Sequence, residues 1–349
     1  GFVDGQVFEI GNPSQRFCIQ SCSKPITYGL ALNDWGDNVH NFVGKEPSGR
    51  NFNELCLNED GLPHNPLINS GAIMTTSLVY PEMELHERFD KVMDFWRELT
   101  FNTVSFDNSV YLSEKETADR NYCLGYMMQE SGSFQKGKNK EVSKKISRKW
   151  NKNMLKDNLE LYFQFCALET NLLGAGLLAG TLANGGVHPW TNREMFKPDT
   201  IKRILSIMSS CGMYDYSGEW NYEIGIPAKS GVSGLIYAVI PGVCGIATYS
   251  PRLDKVGNSY RGVNFFKELG KRVNIHTFLN DENLVSFDRI ENNNRKILGF
   301  LLLQGSHDNN IDLVRECLAK GCDINFVDYD NRTALHIAHE EENLEIIEF

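Results

Sequence analysis

A serine and a lysine three residues apart open an apolar stretch near the start of the chain. Ser21 and Lys24 belong to the run Gln-Ser-Cys-Ser-Lys-Pro, in which Pro25 favours the first turn of a helix. Residues three apart share a helix face. The helix macrodipole and burial both lower the pKa of a lysine at this position. A neutral amine beside a hydroxyl can take its proton, so the pair has the chemistry of a nucleophile and its base.

A second motif far along the chain makes this interpretation more specific. Ser-x-x-Lys alone is a weak signal, because it recurs at Ser133 and Lys136, and a capped helix with a solvated lysine would look the same. Residues 229–231 read Lys-Ser-Gly and precede an apolar run at 232–240, and residues 243–249 return after Pro-Gly, which predicts a buried hairpin. An early Ser-x-x-Lys with a late Lys-Ser-Gly is typical of the serine β-lactamase and penicillin-binding fold.

Six segments resemble the glutaminase family and occur in the family's order. They are Gln-Ser-Cys-Ser-Lys-Pro (20–25), Gly-Lys-Glu-Pro-Ser-Gly (44–49), His-Asn-Pro-Leu-Ile-Asn-Ser-Gly-Ala-Ile (64–73), Asp-Arg-Asn (119–121), Leu-Ala-Asn-Gly-Gly (182–186) and Ser-Cys-Gly-Met-Tyr-Asp (210–215). With a C-terminal ankyrin-like tail, the chain is similar to the animal kidney-type and liver-type phosphate-activated enzymes. The resemblance implies an α/β (α+β) catalytic domain of the β-lactamase type with a helical subdomain, followed by all-α ankyrin repeats.

The resemblance also implies a reaction, the hydrolysis of L-glutamine to L-glutamate and ammonia through a glutamyl ester. Ser21 would be the nucleophile and Lys24 its base. Tyr214 would protonate the departing ammonia, and we expect a nearby cationic amine to lower its pKa. The backbone amides of Ser21 and Val232 would form the oxyanion hole. Lys229 would tune the electrostatic field around these catalytic groups.

The same resemblance assigns a substrate pocket to Asn69, Glu114, Asn121 and Tyr162, together with Ser21, Tyr214 and Val232. Glu114 and Asn121 are seven residues apart, so we expect them to share one helix face. A carboxylate is the natural partner of the substrate ammonium, and asparagines can hold its carboxylate and amide. The family has a further pocket tyrosine upstream that no residue here matches. We therefore expect the chain to be a fragment.

A loop at 49–59 resembles the family's regulatory loop, which couples assembly and phosphate activation to the active site. Phe52 matches a family aromatic, whereas Glu54 stands where a lysine is usual and Cys56 where a second aromatic is usual. The resemblance implies inorganic phosphate as activator, a homotetramer built as a dimer of dimers, and a mitochondrial location. Regulation through this loop is expected to differ from that of the kidney type.

Composition limits the other classes of function. The net charge of −10 disfavours a general nucleic-acid binder. No apolar run reaches the ~18 residues of a membrane span. The nine cysteines show no metal spacing, so we expect no metal. The resemblance implies a reaction that needs no organic cofactor. Cys22 is interpreted as a core residue, with a redox-sensitive thiol as the alternative. The basic segment 136–156 is interpreted as a solvated insertion, with an acidic partner or phosphate as the alternative.

The order of patterns predicts two domains. Residues 3–10 and 17–19 predict a hairpin, and residues from 70 to about 178 are mostly helical in pattern. A repeat with a spacing of 33 then ends in Thr-Ala-Leu-His-Ile-Ala, close to the ankyrin signature, with His336 as a structural residue. Two repeats are too few for a stable solenoid, so we expect further repeats or a protein partner. The predicted domains are a catalytic domain (1–277), a linker (278–295) and ankyrin repeats (296–349).

Two alternatives to a glutaminase remain open from the sequence. One is a β-lactam-interacting hydrolase or peptidase of the same fold. A peptide substrate needs an open groove, whereas a small amino acid needs a closed polar pocket. The other is a catalytically inactive scaffold that works through its ankyrin repeats.

Overall fold

The computed structural model describes residues 1–49, 54–135, 152–278, 290–319, 321–328 and 330–349. The chain separates into two compact units, residues 1–286 and 287–349, and each is described here by itself. Most of the predicted linker, residues 279–289, lies outside the described residues. In the described part of the chain, no helix is both long and apolar enough to cross a membrane.

The first unit begins with the segment that carries the candidate nucleophile. Strand β1 (Phe17–Cys18) leads through a 3₁₀ turn (Gln20–Ser23) into helix α1 (Lys24–Trp35). The proline in the first turn of α1 is compatible with this start, as the sequence predicts. The first nine residues of the helix are all buried. A helix buried on every side belongs to the core, so the nucleophile turn is attached directly to the core of the unit.

Within the described residues of this unit, nine further α-helices follow α1, and a second 3₁₀ turn spans Gly36–Asn41. The remaining helices are α2 (Asn69–Leu78), α3 (Leu85–Leu99), α4 (Asn108–Glu116), α5 (Asp119–Glu130), α6 (Lys152–Cys166), α7 (Leu172–Ala183), α8 (Pro198–Cys211), α9 (Ser217–Glu223) and α10 (Tyr260–Gly270).

A small three-stranded sheet corrects the predicted N-terminal hairpin. Residues 3–10 form no strand, and β1 pairs instead with β3 (Leu168–Thr170), which also pairs with β2 (Ser105–Phe106). Burial explains the difference, because Phe17 is 3% exposed whereas Phe8 is 76% exposed. The apolar side chain of Phe17 is buried through pairing of its strand with β3, about 150 residues later in the chain.

The predicted late hairpin is confirmed and belongs to the second sheet. Strands β4 (Ala228–Ser230), β5 (Leu235–Ile240) and β6 (Cys244–Tyr249) are antiparallel and adjacent in that order. Helix α7 packs against this sheet at close range. A Cβ added to Gly245 would lie 2.1 Å from the backbone carbon of Ala179, so only glycine fits at this contact. The close packing positions β6, and β4, which carries the second motif, joins the same sheet through its pairing with β5.

In the described part of the second unit, the helices form two pairs. They are α11 (Ile290–His307) with α12 (Ile311–Ala319), and α13 (Ala334–Glu340) with α14 (Leu344–Glu348). Its core includes Leu302, Val314, Ile337 and Ala338. The Thr333 side chain accepts from the His336 amide while the His336 ring accepts from the Thr333 amide, which makes a reciprocal cap. His336 is therefore structural, as predicted.

Candidate active site

Ser21 and Lys24 are brought onto one face by the 3₁₀ turn before α1. The Lys24 amide donates to the Ser21 carbonyl, which closes an i to i+3 turn. Side chains three residues apart eclipse in this geometry. Gln20, immediately before the serine, has φ of +52°, in the left-handed region that residues with a Cβ avoid. Strained backbone of this kind is concentrated at functional sites.

The Lys24 amine is buried and has two acceptors. Its Nζ donates to Asn69 Oδ1 at 2.6 Å and to the Leu67 carbonyl at 3.3 Å. Burial lowers the pKa of Lys24 to about 7, and the charge of Lys229 adds to the effect. Burial, one of the two causes that the sequence suggests, is the largest effect on this lysine. At neutral pH a large fraction of this amine is unprotonated, as a general base requires.

Lys229 lies on β4, opposite Tyr237 of β5. It is fully buried, and its Nζ donates to the Ser230 carbonyl at 2.6 Å. The same Nζ lies 4.6 Å from the centre of the Tyr214 ring. Burial lowers the pKa of Lys229 to about 8. The second motif therefore places a cation against the face of the candidate proton donor.

Tyr214 begins a 3₁₀ turn (Tyr214–Tyr216) and has φ of +55°. Burial raises the pKa of its phenol, and a hydrogen bond with the Ser21 side chain opposes the shift without cancelling it. The prediction of a lowered pKa is therefore wrong, because desolvation of the phenolate outweighs the hydrogen bond with Ser21. The phenol is neutral at physiological pH and is suited to donate a proton next to Ser21.

The turn after β4 places Val232 beside the nucleophile turn. A Cβ added to Gly231 would lie 3.1 Å from the Ile19 carbonyl and 3.2 Å from Cys22 Sγ. The two turns are thus in direct contact. Tyr237 Oη strengthens the contact by donating to the Cys22 carbonyl at 3.2 Å. Within the described residues the Val232 amide has no hydrogen-bond partner, which is the condition for an oxyanion donor.

The predicted substrate residues Glu114 and Asn121 both reach this site, but from different helices. Glu114 is on α4 and Asn121 on α5, because the chain breaks its helix at Thr117 and Ala118. The prediction of one shared helix face is therefore wrong. Gln20 Nε2 donates to Glu114 Oε1 at 3.0 Å, which joins this carboxylate to the nucleophile turn.

Asn69 connects the base to the second substrate residue. It is the first residue of α2, accepts from Lys24, and donates through Nδ2 to Asn121 Oδ1 at 3.0 Å. Tyr162 on α6 is 5% exposed, and burial raises its pKa. Its hydroxyl interacts with the Cys166 side chain, which also contacts Ser23. All four predicted substrate residues therefore border the Ser21–Lys24 turn or its immediate neighbours.

A cavity of about 380 Å³ lies next to the site, and Tyr214 forms part of its wall. Ser21 and Lys24 do not line it, so it adjoins the chemical groups through Tyr214 and through Leu67, whose carbonyl binds Lys24. Its wall includes residues 47–49, at the start of the predicted regulatory loop. The other lining residues are Asn65, Ile68, Ser210, Cys211, Asp215, Ser217 and Gly218.

Parts of two sequence predictions lie outside the described residues. Phe52 of the predicted regulatory loop is not among the described residues. Glu54 and Cys56 of the same loop are described and half-buried, and the Cys56 amide donates to the Glu54 carbonyl at 2.9 Å. Of the basic segment 136–156, residues 136–151 are not described.

Of two residues near the nucleophile, sequence reasoning missed one and interpreted the other correctly. Gln20 was not assigned a role, and its position next to Ser21 was the only signal for one. Cys22 is fully buried, and burial raises the pKa of its thiol to about 12, which supports a packing role. In the described part of the chain no three His, Cys, Asp or Glu side chains are placed to hold a metal ion.

Together these groups are suited to nucleophilic acyl transfer. The site combines a hydroxyl, an amine with a pKa near neutrality, a neutral phenol and a backbone amide without a partner. A carboxylate and two carboxamides lie beside them. This set matches a substrate that carries an amide to be cleaved and an ammonium to be bound.

Comparisons with known proteins agree with this geometry. A sequence model described as glutaminase matches residues 2–278, and one described as ankyrin repeats (many copies) matches residues 302–349. The chain is 40% identical over 357 residues to the mouse protein "Glutaminase liver isoform, mitochondrial", covering 99% of this chain and 56% of that protein. It is 42% identical over 360 residues to "Putative glutaminase 3" of Caenorhabditis elegans, covering 99% and 58%. The chain thus spans little more than half the length of these animal relatives.

Solved structures give the same result for the first unit. The native form of Mglu aligns with a TM-score of 0.70 at 34% identity, covering 80% of this chain and 64% of that one. A structure described as probable glutaminase ybaS aligns with a TM-score of 0.70 at 33% identity, covering 80% and 85%. The predicted β-lactamase-like fold class is therefore confirmed. Given the matched domain, the identity to these relatives and the shared fold, this chain belongs to the glutaminase family, with ankyrin repeats at its C-terminal end.

Proposed function

We propose that this chain hydrolyses the side-chain amide of L-glutamine to give L-glutamate and ammonia. The observation that carries the proposal is the Ser21–Lys24 pair, in which a half-buried hydroxyl and a buried amine of pKa about 7 share one face where the 3₁₀ turn enters α1. Membership of the glutaminase family supports the choice of substrate. Metal ions and organic cofactors have no part in the proposed chemistry.

The first half of the reaction forms an ester. Ser21 Oγ attacks the amide carbon of the substrate side chain while Lys24 Nζ takes the hydroxyl proton. A neutral amine has two N–H groups, which Asn69 Oδ1 and the Leu67 carbonyl accept, and a lone pair that can take the serine proton. The amides of Ser21 and Val232 donate to the oxyanion. The C–N bond then breaks, with Tyr214 giving its proton to the leaving nitrogen.

The second half returns the enzyme to its starting state. A water molecule attacks the glutamyl ester, and its proton passes to the Tyr214 phenolate left by the first half. The raised pKa of Tyr214 makes that phenolate a strong base, which supports its role in activating water. The ester C–O bond breaks and the proton held by Lys24 returns to Ser21 Oγ. Glutamate leaves with all groups in their original protonation states.

Substrate recognition is assigned to the four residues around this pair. Glu114 binds the α-ammonium, which displaces the Gln20 amide that donates to it in the free protein. Asn69, Asn121 and Tyr162 hold the α-carboxylate and the side-chain amide. The proposal is supported by their convergence on the Lys24 amine and the Gln20–Ser23 turn.

Regulation and location are further parts of the proposal. The names of the mouse and rat relatives support a mitochondrial location. Activation by inorganic phosphate and assembly as a dimer of dimers are carried over from the family resemblance, with the loop at 49–59 as the coupling segment. The ankyrin repeats are proposed to bind a protein partner. Glutamate release measured with and without phosphate, alongside sedimentation of the same samples, tests activation and assembly together.

The decisive test of the activity is glutamate release from L-glutamine by the parent chain and by Ser21→Ala. We expect the variant to lose at least about 10⁴-fold in kcat, as removal of a nucleophile does in other acyl-transfer enzymes. Ser206→Ala is the matched control, because Ser206 is exposed and donates only to the Lys202 carbonyl of its own helix. Equal release from the parent and Ser21→Ala would contradict the proposal.

A further inference from the structure

Tyr214 has a backbone conformation that its own residue type does not favour. Its φ of +55° lies in the left-handed region, which is mainly occupied by glycine. Such a conformation persists only where the surroundings hold it. The groups that hold Tyr214 therefore determine where the phenol points.

Two side chains hold the peptides on either side of Tyr214. Ser217 Oγ accepts from the Met213 amide at 2.9 Å and donates to the Tyr214 carbonyl at 2.7 Å. Asn258 Nδ2 donates to the Met213 carbonyl at 3.2 Å. We call Ser217 and Asn258 the Tyr214 clamp. Ser217 is local to the turn, whereas Asn258 reaches it from 45 residues away in the chain.

The turn that carries Asn258 is itself well defined. Asp254 Oδ1 accepts from the Val256 amide at 2.9 Å and from the Asn258 amide at 3.0 Å. The Asp254 amide donates to the Asn258 carbonyl at 2.7 Å. Gly257 has φ of +94°, and a Cβ built on it would lie 3.9 Å from the Tyr214 ring. The turn therefore packs over the ring as well as binding the backbone beside it.

A packing role alone does not account for an asparagine at this position. Asn258 is fully buried, and within the described residues its Oδ1 has no hydrogen-bond partner. An unpartnered buried oxygen is unfavourable, and an apolar side chain of similar size would avoid it. The feature that an apolar residue would lack is the N–H donated to Met213.

We propose that Asn258 is a positioning residue for the reaction, which acts through the Met213 carbonyl to keep the Tyr214 hydroxyl at the leaving nitrogen. This inference rests on the proposed function, in which Tyr214 protonates the departing ammonia. Asn258 does not contact the substrate. Its effect falls on the rate of the chemical steps, and substrate affinity is unchanged.

The test compares Asn258→Asp and Asn258→Ala with the parent for L-glutamine hydrolysis. Aspartate keeps the shape of the side chain but has no N–H to donate in its ionised form. We expect kcat to fall by about 10- to 100-fold in both variants, because a small misplacement of a catalytic group slows the reaction by about this factor. KM should stay within about threefold of the parent value. Asn264→Ala is the matched control, because Asn264 is exposed and its side chain donates to the Tyr260 carbonyl of its own helix. We expect the kcat of this control variant to equal that of the parent.

A double-mutant cycle separates positioning from general structural damage. In a Tyr214→Phe background the hydroxyl is absent, so Asn258→Asp has nothing to misplace and changes kcat by less than about twofold. A loss of the same size in both backgrounds would overturn the proposal. A kcat within twofold of the parent in folded Asn258→Asp would also overturn it. If neither Asn258 variant folds, Ser217→Ala tests the same clamp from its other side, with the same expected dependence on Tyr214.

A fluorine signal makes the result independent of activity. Protein labelled with 3-fluorotyrosine gives a resonance for Tyr214, assigned as the one missing from Tyr214→Phe. Asn258→Asp shifts or broadens this resonance, and Asn264→Ala leaves it in place. If the parent chain releases no glutamate, the proposed function fails while this measurement still decides the clamp. An unchanged resonance in Asn258→Asp would show that the clamp does not hold Tyr214.

Discussion

The two sides of the candidate active site are built in different ways. The chemistry side consists of Ser21, Lys24, Tyr214 and Lys229; both lysines are fully buried and attached to core elements. The recognition side includes Glu114 and Asn121, which are half-buried and lie on consecutive helices. The other two residues assigned to recognition, Asn69 and Tyr162, are buried where this side meets the chemistry side. Helix α4, which carries Glu114, has no buried residue at all.

The difference follows from what each side must do. A lysine acts as a base near neutral pH only where burial lowers its pKa, so the chemistry side has to lie in the core. A carboxylate that binds a substrate ammonium has to be reached from solvent and stay charged. The recognition side can therefore use short helices at the surface, provided that other contacts hold them in place.

After loss of the nucleophile itself, the largest effect should come from removing the base on the chemistry side. Lys24→Met keeps the length of the side chain and removes the amine. We expect kcat/KM for L-glutamine to fall by about 10² to 10⁴, the usual contribution of a general base. Lys202→Met, at an exposed position, is the control for loss of a lysine. A decrease of less than tenfold in folded Lys24→Met would contradict the role assigned to Lys24.

The pH profile tests the same group without mutation. The pKa of Lys24 is lowered from 10.5 to about 7, so its ammonium form predominates below pH 7. kcat/KM should therefore rise about tenfold per pH unit below 7 and level off above it. Between about pH 7 and 10.5 the unfolded chain binds more protons at this residue, so its contribution makes the free energy of unfolding rise with pH. A profile that is flat between pH 5 and 8 would be inconsistent with this base.

A change on the recognition side should affect binding more than the chemical step. Glu114→Gln removes the charge that pairs with the substrate ammonium and keeps the shape. We expect KM to increase by about 10- to 100-fold with kcat lowered less, since a hydrogen bond to a charged group contributes ~1.5–3 kcal/mol. Glu116→Gln, exposed on the same helix, is the control. If kcat falls and KM does not change, Glu114 belongs to the chemistry side instead.

The smallest effect should come from the contacts that hold the recognition side in place. Glu160 on α6 accepts from Lys115 Nζ at 2.7 Å and from the Tyr111 hydroxyl, and both donors are on α4. Because Lys115 is 42% exposed, the ion pair itself contributes little to stability. Glu160→Gln should raise KM about two- to fivefold through a looser α4, as initial-rate kinetics will show. An effect larger than that of Glu114→Gln would mean that this contact, and not the carboxylate, determines binding.

The chemistry side could be predicted from the sequence, although not every property of it. Ser21 with Lys24 is a local motif, and its second half at Lys229 lies on a hairpin with a clear apolar pattern. The direction of the Tyr214 pKa shift was predicted wrongly. The direction of this shift depends on how completely the fold buries the phenol. The residues near Tyr214 in the sequence do not determine that burial.

The rest of the site depends on contacts between distant parts of the chain. The break between α4 and α5 involves Thr117 and Ala118, whose types do not mark a helix end. The N-terminal hairpin was predicted from apolar residues that pair with β3 instead. Asn258 lies in a turn with no motif that points to Met213. Such contacts are specified by packing, which a single sequence does not display.

The measurement that tests the central claim most directly is trapping of the covalent intermediate. The chain is mixed with L-glutamine, quenched in acid during turnover and analysed by mass spectrometry, first intact and then after digestion. We predict a mass increase of one glutamyl group on the peptide that contains Ser21, absent from Ser21→Ala. Turnover by the parent with the adduct on another residue would contradict the account, since Ser21 would then not be the nucleophile.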